Sequence, residues 1–283
     1  MRKLLIILLL CSFGMMHAQQ EKPTKKQQDD PVREPWSAGT IINHQTEYIP
    51  HEKSFELIMN HRFGSIKNGL SDIFGVMAPG ATIRIGLNYS IKPNLLIGFG
   101  TSNLKKYQDL QLKWRPFEQT VTNSMPVSMT FYGNMGIQAT KEEDFGKKYQ
   151  FTDRFSYFGE MIIGRKINDL ISVKFSGNYT HYNSVTEEYP HDVIGLGWGG
   201  RMRISPRSVI TFEGGLPLYY NRTHPKGNKP HLGLGYEVST YTHTFQFFIT
   251  NTASVLALDL YLHHQEGISE ETIRIGFNIN RIW

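Results

Sequence analysis

Apolar and polar residues alternate along most of this chain, and the alternation breaks at turns. Ile83, Ile85, Leu87, Tyr89 and Ile91 interleave with Thr82, Arg84, Gly86, Asn88 and Ser90. Leu110, Leu112 and Trp114 interleave with Asp109, Gln111, Lys113 and Arg115, and Ile171, Val173, Phe175 and Tyr179 with Ser172, Lys174, Ser176 and Asn178. A period of two is that of a β-strand, whose successive side chains point to opposite faces. Runs of this kind predict about twelve strands, near 55–63, 81–91, 95–102, 107–117, 126–138, 154–165, 170–182, 192–204, 208–219, 231–240, 243–251 and 271–283. No window sustains a helical period, and residues 64–75 leave room for a short helical turn at most. In the last run, Ile273, Ile275, Phe277, Ile279 and Trp283 share one parity and Arg274, Gly276, Asn278 and Asn280 the other. Arg281 falls on the apolar parity: either it snorkels towards headgroups or the strand twists out of register there.

An apolar stripe running to a terminal aromatic resembles the insertion signal of bacterial outer-membrane β-barrels, carried here by Phe277, Ile279 and Trp283. The other end of the chain points to the same compartment. Arg2 and Lys3 precede the apolar run 4–16, and Met16-His17-Ala18 places a small residue before Gln19. This reads as a secretory signal peptide, residues 1–18, too short and wrongly flanked to span a bilayer. A lipoprotein reading through Cys11 meets Leu10 where a small residue is expected. Residues 19–36, with the polar stretch QQEKPTKKQQDDPVREP, read as a disordered periplasmic lead-in, and residues 37–283 as the barrel.

Cys11 is the sole cysteine, so disulfides, thiolate metal sites and cysteine nucleophiles are excluded from the mature chain. Beyond the leader no apolar stretch is long enough for a spanning helix, so a membrane-spanning chain with a mean hydropathy of −0.35 must be a closed barrel. Loss of Arg2 and Lys3 lowers the formal charge from +5 to +3, too mild for nucleic-acid binding.

Connection lengths orient such a barrel. Tight turns at 92–94, 166–169, 205–207 and 241–242 alternate with longer polar loops near 64–80, 139–153, 183–191, 220–230 and 252–270. Outer-membrane barrels keep short turns in the periplasm and long loops outside, which puts both chain ends in the periplasm. The short connection 103–106 and the long one 118–125 depart from this rule. Residues 37–48 and 255–262 also alternate, and adding both as strands would give fourteen. Twelve keeps the long loops external, and residues 37–48 are then free to lie against the periplasmic mouth or enter the lumen. The expected fold is all-β: a transmembrane antiparallel up-and-down barrel of about twelve strands, ten to fourteen at the limits. A lipocalin-like soluble barrel is the competing architecture, but it needs about eight strands and turns its apolar face inward.

The segments Asn60–Gly64 (NHRFG), Thr244–Thr252 (TFQFFITNT) and Gly276–Trp283 (GFNINRIW) resemble the marker segments of a Gram-negative family of outer-membrane barrels of unassigned function. The resemblance implies an outer-membrane barrel and carries over no catalytic residues.

If the apolar parity faces lipid, the other lines the lumen with Glu56, Arg62, Arg84, Asp109, Lys113, Arg115, Glu160, Lys174, Arg201, Arg203, Glu213, Glu237 and Arg274. Basic residues outnumber acidic ones in this set. Twelve strands lie between side-chain-filled barrels and wide channels. Glycines 195, 197, 199, 233 and 235 free space on one wall. Two readings follow: a narrow channel for a small anionic solute, porin-like, or a non-conducting structural or assembly component with a charge-paired lumen.

Other motifs carry less. Gly195–Gly200 matches G-x-G-x-x-G, but a dinucleotide site needs a helix after the turn and none follows. His263-His264 with Glu266, and His224 and His231 around Lys226 and Lys229, lack ligand-like spacing and read as solvated loops. A third, lipid-active reading would need a serine–histidine pair. His181 and Ser184 lie three apart and so on opposite faces of a strand. Glu187, Glu188 and Asp192 read as a solvated loop. The expectation is no enzyme, cofactor or metal. The expected partners are outer-membrane lipid, the barrel-assembly machinery during insertion and a small anion.

Overall fold

Within lipid every backbone N–H and C=O must bond inside the wall, and strands satisfy this by closing into a barrel. A computed structural model describes residues 29–187, 189–218, 229–262 and 267–283 of the chain. The expected leader, Glu188, His224, Lys226, His263, His264 and Glu266 lie outside the described residues.

Two short strands, β1 (Thr40–Ile41) and β2 (His44–Gln45), precede the wall. The wall itself comprises β3 (Phe55–Ser65), β4 (Thr82–Lys92), β5 (Leu95–Ser102), β6 (Tyr107–Phe117), β7 (Ser128–Gln138) and β8 (Phe155–Lys166). It continues through β9 (Ile171–Tyr182), β10 (Asp192–Arg203), β11 (Ser208–Pro217), β12 (His231–Ser239), β13 (His243–Thr250) and β14 (Arg274–Ile282). Each pairs antiparallel with its sequence neighbour, and β14 returns to β3, making a closed twelve-stranded barrel. The seam is locked at its end: Phe55 N donates to Trp283 O at 3.0 Å, and Trp283 N to Phe55 O at 3.1 Å.

The faces are those of a membrane barrel. Leu87, Phe99, Leu110, Phe175, Leu234 and Phe247 are exposed on the outside, while Asn60, Asp109, Lys174 and Asn278 are buried within. A soluble barrel would reverse this. Trp283 is exposed and stacks on Phe55 at 6.2 Å. Register is unbroken through Arg281 and Ile282, and the Arg281 guanidinium lies 6.0 Å from the Trp283 ring centroid. The strand is therefore not slipped at Arg281; the irregularity in β14 sits at Arg274/Gly276 instead.

The start of β3 and the end of β14 share one mouth with the connections 93–94, 118–127, 167–170, 204–207 and 240–242. We call it the terminal mouth; the other connections form the far mouth. The described part of the expected lead-in runs along the terminal mouth, with Val32 N donating to Gln119 O at 2.9 Å and Trp36 buried.

Neither alternating segment outside the twelve joins the wall. β1 and β2 pair only with each other, as a hairpin inside the lumen. Ile42, at its turn, has a φ of 50°, a left-handed value unusual for a β-branched residue. Its side chain is 1% exposed, and its carbonyl accepts from Arg62 Nη2 at 2.9 Å and Asn278 Nδ2 at 2.8 Å. From the far mouth, residues 251–262 fold inward with one short helix, α1 (Ala257–Leu260). Leu256, Leu258, Leu260 and Leu262 pack with Tyr107, Tyr132, Phe158, Ile162, Tyr182 and Val193 into an apolar cluster.

Candidate functional site: an occluded lumen

Of the thirteen residues expected to line the lumen, six bond directly to the hairpin segment 37–48. Arg62 reaches Ile42 O, and its Nη2 also donates to Asn43 Oδ1 at 2.8 Å. Lys113 Nζ donates to Gly39 O at 2.9 Å, Lys174 Nζ to Gln45 O at 2.5 Å and Arg115 Nη1 to Glu47 O at 3.0 Å. Arg201 Nη1 donates to Ser37 Oγ at 2.8 Å. Glu213 accepts from the Asn43 and His44 amides, each at 2.9 Å, and from Asn43 Nδ2 at 2.6 Å. The cause is plain: a two-residue hairpin leaves most of its backbone groups without a ladder partner, and buried carbonyls need donors.

Three of the remaining residues pair across the wall. Arg84 holds Asp109 through two bonds, Nε–Oδ1 at 2.9 Å and Nη2–Oδ2 at 2.7 Å. Lys174 also approaches Glu160 at 3.7 Å. Glu56 accepts from Asn88 and Asn280, each at 2.9 Å, and Glu237 from Gln246 Nε2 at 2.8 Å. At the mouths, Arg203 meets Glu34 at 3.2 Å, and Arg274 Nη1 donates to Phe63 O at 3.2 Å.

The inward glycines are seats for the inserts. A Cβ at Gly199 would lie 2.4 Å from Ile41 Cδ1, one at Gly197 2.7 Å from His44 Cε1, and one at Gly195 2.5 Å from the Tyr261 ring. Gly136 makes the same room for Leu258, and Gly164 for Glu47. The space that glycines free on the wall is therefore filled. Between hairpin and far insert a cavity of about 20 Å³ remains, bounded by Ile42, Asn43, Tyr132 and Leu256 among others. That is room for about one water molecule.

Two hairpin side chains are titratable and fully enclosed. Glu47 is 1% exposed and neither carboxylate oxygen has a hydrogen-bond partner on another residue. Burial pushes its carboxyl up to about 7, against the pull of Lys174, Lys113 and Arg115. His44 Nε2 meets His231 Nε2 at 2.6 Å, and Tyr261 lies edge-on to both rings. Burial holds the His44 imidazole well below its ordinary range, aided by Lys174 and then His231. This corrects the reading of His231 as part of a solvated loop: it opens β12 and is fully buried, because the hairpin brings a polar partner to it.

A family model described as "Membrane bound beta barrel domain (DUF5777)" matches residues 36–283. The chain belongs to this family. No curated protein matches it. Among solved structures, the DUF5777 chain is similar to "KdgM porin in complex with disordered oligogalacturonate", with a TM-score of 0.50 and 6% identity over 80% of this chain and 98% of that one. It is also similar to the "COG4313 outer membrane channel from Pseudomonas putida F1", with a TM-score of 0.49 and 10% identity over 84% and 97%. At such identities the likeness is one of fold alone.

The other candidate constellations do not assemble in this DUF5777 barrel. Gly195–Gly200 lies inside β10, with plug side chains against it. His181 Nδ1 bonds Asp192 at 2.7 Å instead of Ser184, which makes Asp192 a paired carboxylate. His61 faces outward and stacks on Phe277 at 5.0 Å, while Arg62 anchors the hairpin. Sequence reading missed the His44–His231 contact and the seat for Glu47. The signal available for both was the set of inward glycines, which leave space that something must fill.

Proposed function

We propose that this membrane-bound barrel is an outer-membrane channel for small anionic solutes that rests closed, exported by its leader and facing the periplasm with its terminal mouth. The observation that carries the reading is that the hairpin is separable from the wall. The twelve strands close without it, and it is held by side-chain donors rather than by sheet pairing. The far insert packs on the β6–β10 side, so removing the hairpin opens a path beside it. That path is lined by Arg62, Lys113, Arg115, Lys174 and Arg201, which favours anions.

Planar-bilayer recordings test this on the full chain and on a variant lacking residues 29–49, with heat-modifiable migration on gels to check that the barrel is folded. The full chain is expected to stay mostly closed, and the folded variant to conduct with a reversal potential on the anion side in a salt gradient. A folded variant that seals the bilayer at all voltages sinks the channel reading. The second reading, a non-conducting outer-membrane component, then stands, supported by the paired charges Arg84–Asp109 and Lys174–Glu160.

A further inference from the structure

Below the hairpin, the terminal mouth opens into a vestibule of about 930 Å³, within the size range of small-ligand sites. Arg115, Arg201, Arg203 and Arg207 line it, beside Trp36 and Tyr48. Arg201 and Arg203 share one parity of β10, so their side chains leave the strand on the same face. Arg115 is paired with Glu118 at 3.0 Å and Arg203 with Glu34 at 3.2 Å. Arg201 and Arg207 have no carboxylate within 4 Å among the described residues. The four guanidinium groups therefore outnumber the three carboxylates that line the vestibule by one, and their planar donors suit carboxylates and phosphates.

Three carboxylates share the vestibule, Glu34, Glu52 and Glu118, and Glu34 is the one held by Arg203. Glu34 offers a side chain that is 78% exposed, and its φ of 49° is a left-handed value. Only Pro35 and Trp36 separate it from Ser37, which Arg201 holds. An exposed, conformationally strained carboxylate on an arginine site is a weak occupant, and it lies on the strap that leads into the hairpin.

We propose that the vestibule binds a multivalent oxyanion, carboxylate or phosphate, which replaces Glu34 on Arg203 and engages Arg201 and Arg207. This deepens the channel reading by giving its anion a seat, but binding to the closed barrel does not require conduction. Isothermal titration calorimetry of the detergent-solubilised full chain at low salt tests it with citrate and pyrophosphate as probes and sucrose as the neutral control. Saturable one-to-one binding of at least one anion and none of sucrose is expected. The two anions in separate titrations tell a carboxylate site from a phosphate site. Arg201→Gln and Arg207→Gln should each weaken binding about tenfold, and Glu34→Gln should tighten it several-fold by removing the internal competitor. Arg165→Gln, at a turn-side guanidinium bonded to Pro126 O, should leave it unchanged. Absence of saturable binding by both anions, or affinity unmoved in the Arg201 and Glu34 variants, overturns the proposal. A folded variant lacking residues 29–49 that seals the bilayer, while the full chain binds citrate or pyrophosphate, removes the channel and keeps this site.

Discussion

Glu47→Gln removes the only acid between Ser37 and Tyr48 and tests whether the hairpin holds a carboxylate in the lumen. The carboxyl moves from an ordinary 4.5 to about 7 on docking, burial being the largest cause. A raised acid contributes stability that is fully present below pH 4.5 and lost as pH rises through about 7. Each pH unit between those values is worth about 1.4 kcal/mol, so docking weakens by about 3 kcal/mol across the window. His44 works in the opposite sense. Its lowered value adds stability above pH 6.5 that is lost as pH falls. In the native chain the two slopes oppose each other; Glu47→Gln removes the carboxylate's slope and His44→Gln the histidine's. Amide hydrogen exchange over residues 37–48 reads docking directly, once intrinsic rates are corrected for pH. Relative to its own value at pH 4.5, Glu47→Gln should gain protection over the native chain on the order of 100-fold by pH 8. An unpartnered buried amide costs about 1–3 kcal/mol, but that cost does not vary with pH, so the slope decides. A variant whose protection follows the native pH profile from 4.5 to 8 would refute the reasoning.

Arg84→Met leaves Asp109 as a buried charge with Asn134 Nδ2 at 3.2 Å as its side-chain donor, which should cost about 3–5 kcal/mol in barrel stability. The double variant Arg84→Met/Asp109→Leu should recover most of that in a urea titration in detergent; a single variant as stable as the double one counts against the pair. Leu258→Ala empties a side chain that is fully buried against Gly136 and should cost about 2–5 kcal/mol in docking of the far insert. Amide exchange should then quicken over residues 252–262 while β7 and β8 keep their protection; loss spread evenly over the wall would mean that the insert is part of the barrel's own core.

How much of this was readable beforehand differs between wall and lumen. The wall follows from period two alone, because lipid selects one parity and the lumen the other; β5, β6 and β9 fall within a residue of their expected limits. The inserts carry the same local signal. Leu256, Leu258, Leu260 and Leu262 alternate as a strand would, yet Ala257, Asp259 and Tyr261 between them are buried too, Asp259 meeting Lys105 at 2.8 Å. A segment enclosed on all sides has no solvent or lipid face to distinguish, so alternation cannot tell it from a wall strand. The hairpin was equally ambiguous for a different reason: its burial depends on donors placed far along the chain, Arg62, Lys113, Lys174 and Glu213, which no local window contains.

That dependence also changes what the cationic lumen means. Read as free wall charges, the excess of basic over acidic residues points to an anion path. In the closed barrel Arg62, Lys113, Arg115 and Lys174 are committed to the carbonyls of Ile42, Gly39, Glu47 and Gln45. A buried carbonyl left without a donor is costly, so these cations are explained by the hairpin alone, with no solute invoked. They become available to an anion only when the hairpin leaves. Retention and selectivity then draw on one set of donors. Lys113→Gln, outside the vestibule, should therefore both loosen the hairpin in amide exchange and lower anion selectivity in the opened barrel; a variant that changes one without the other would separate the two roles.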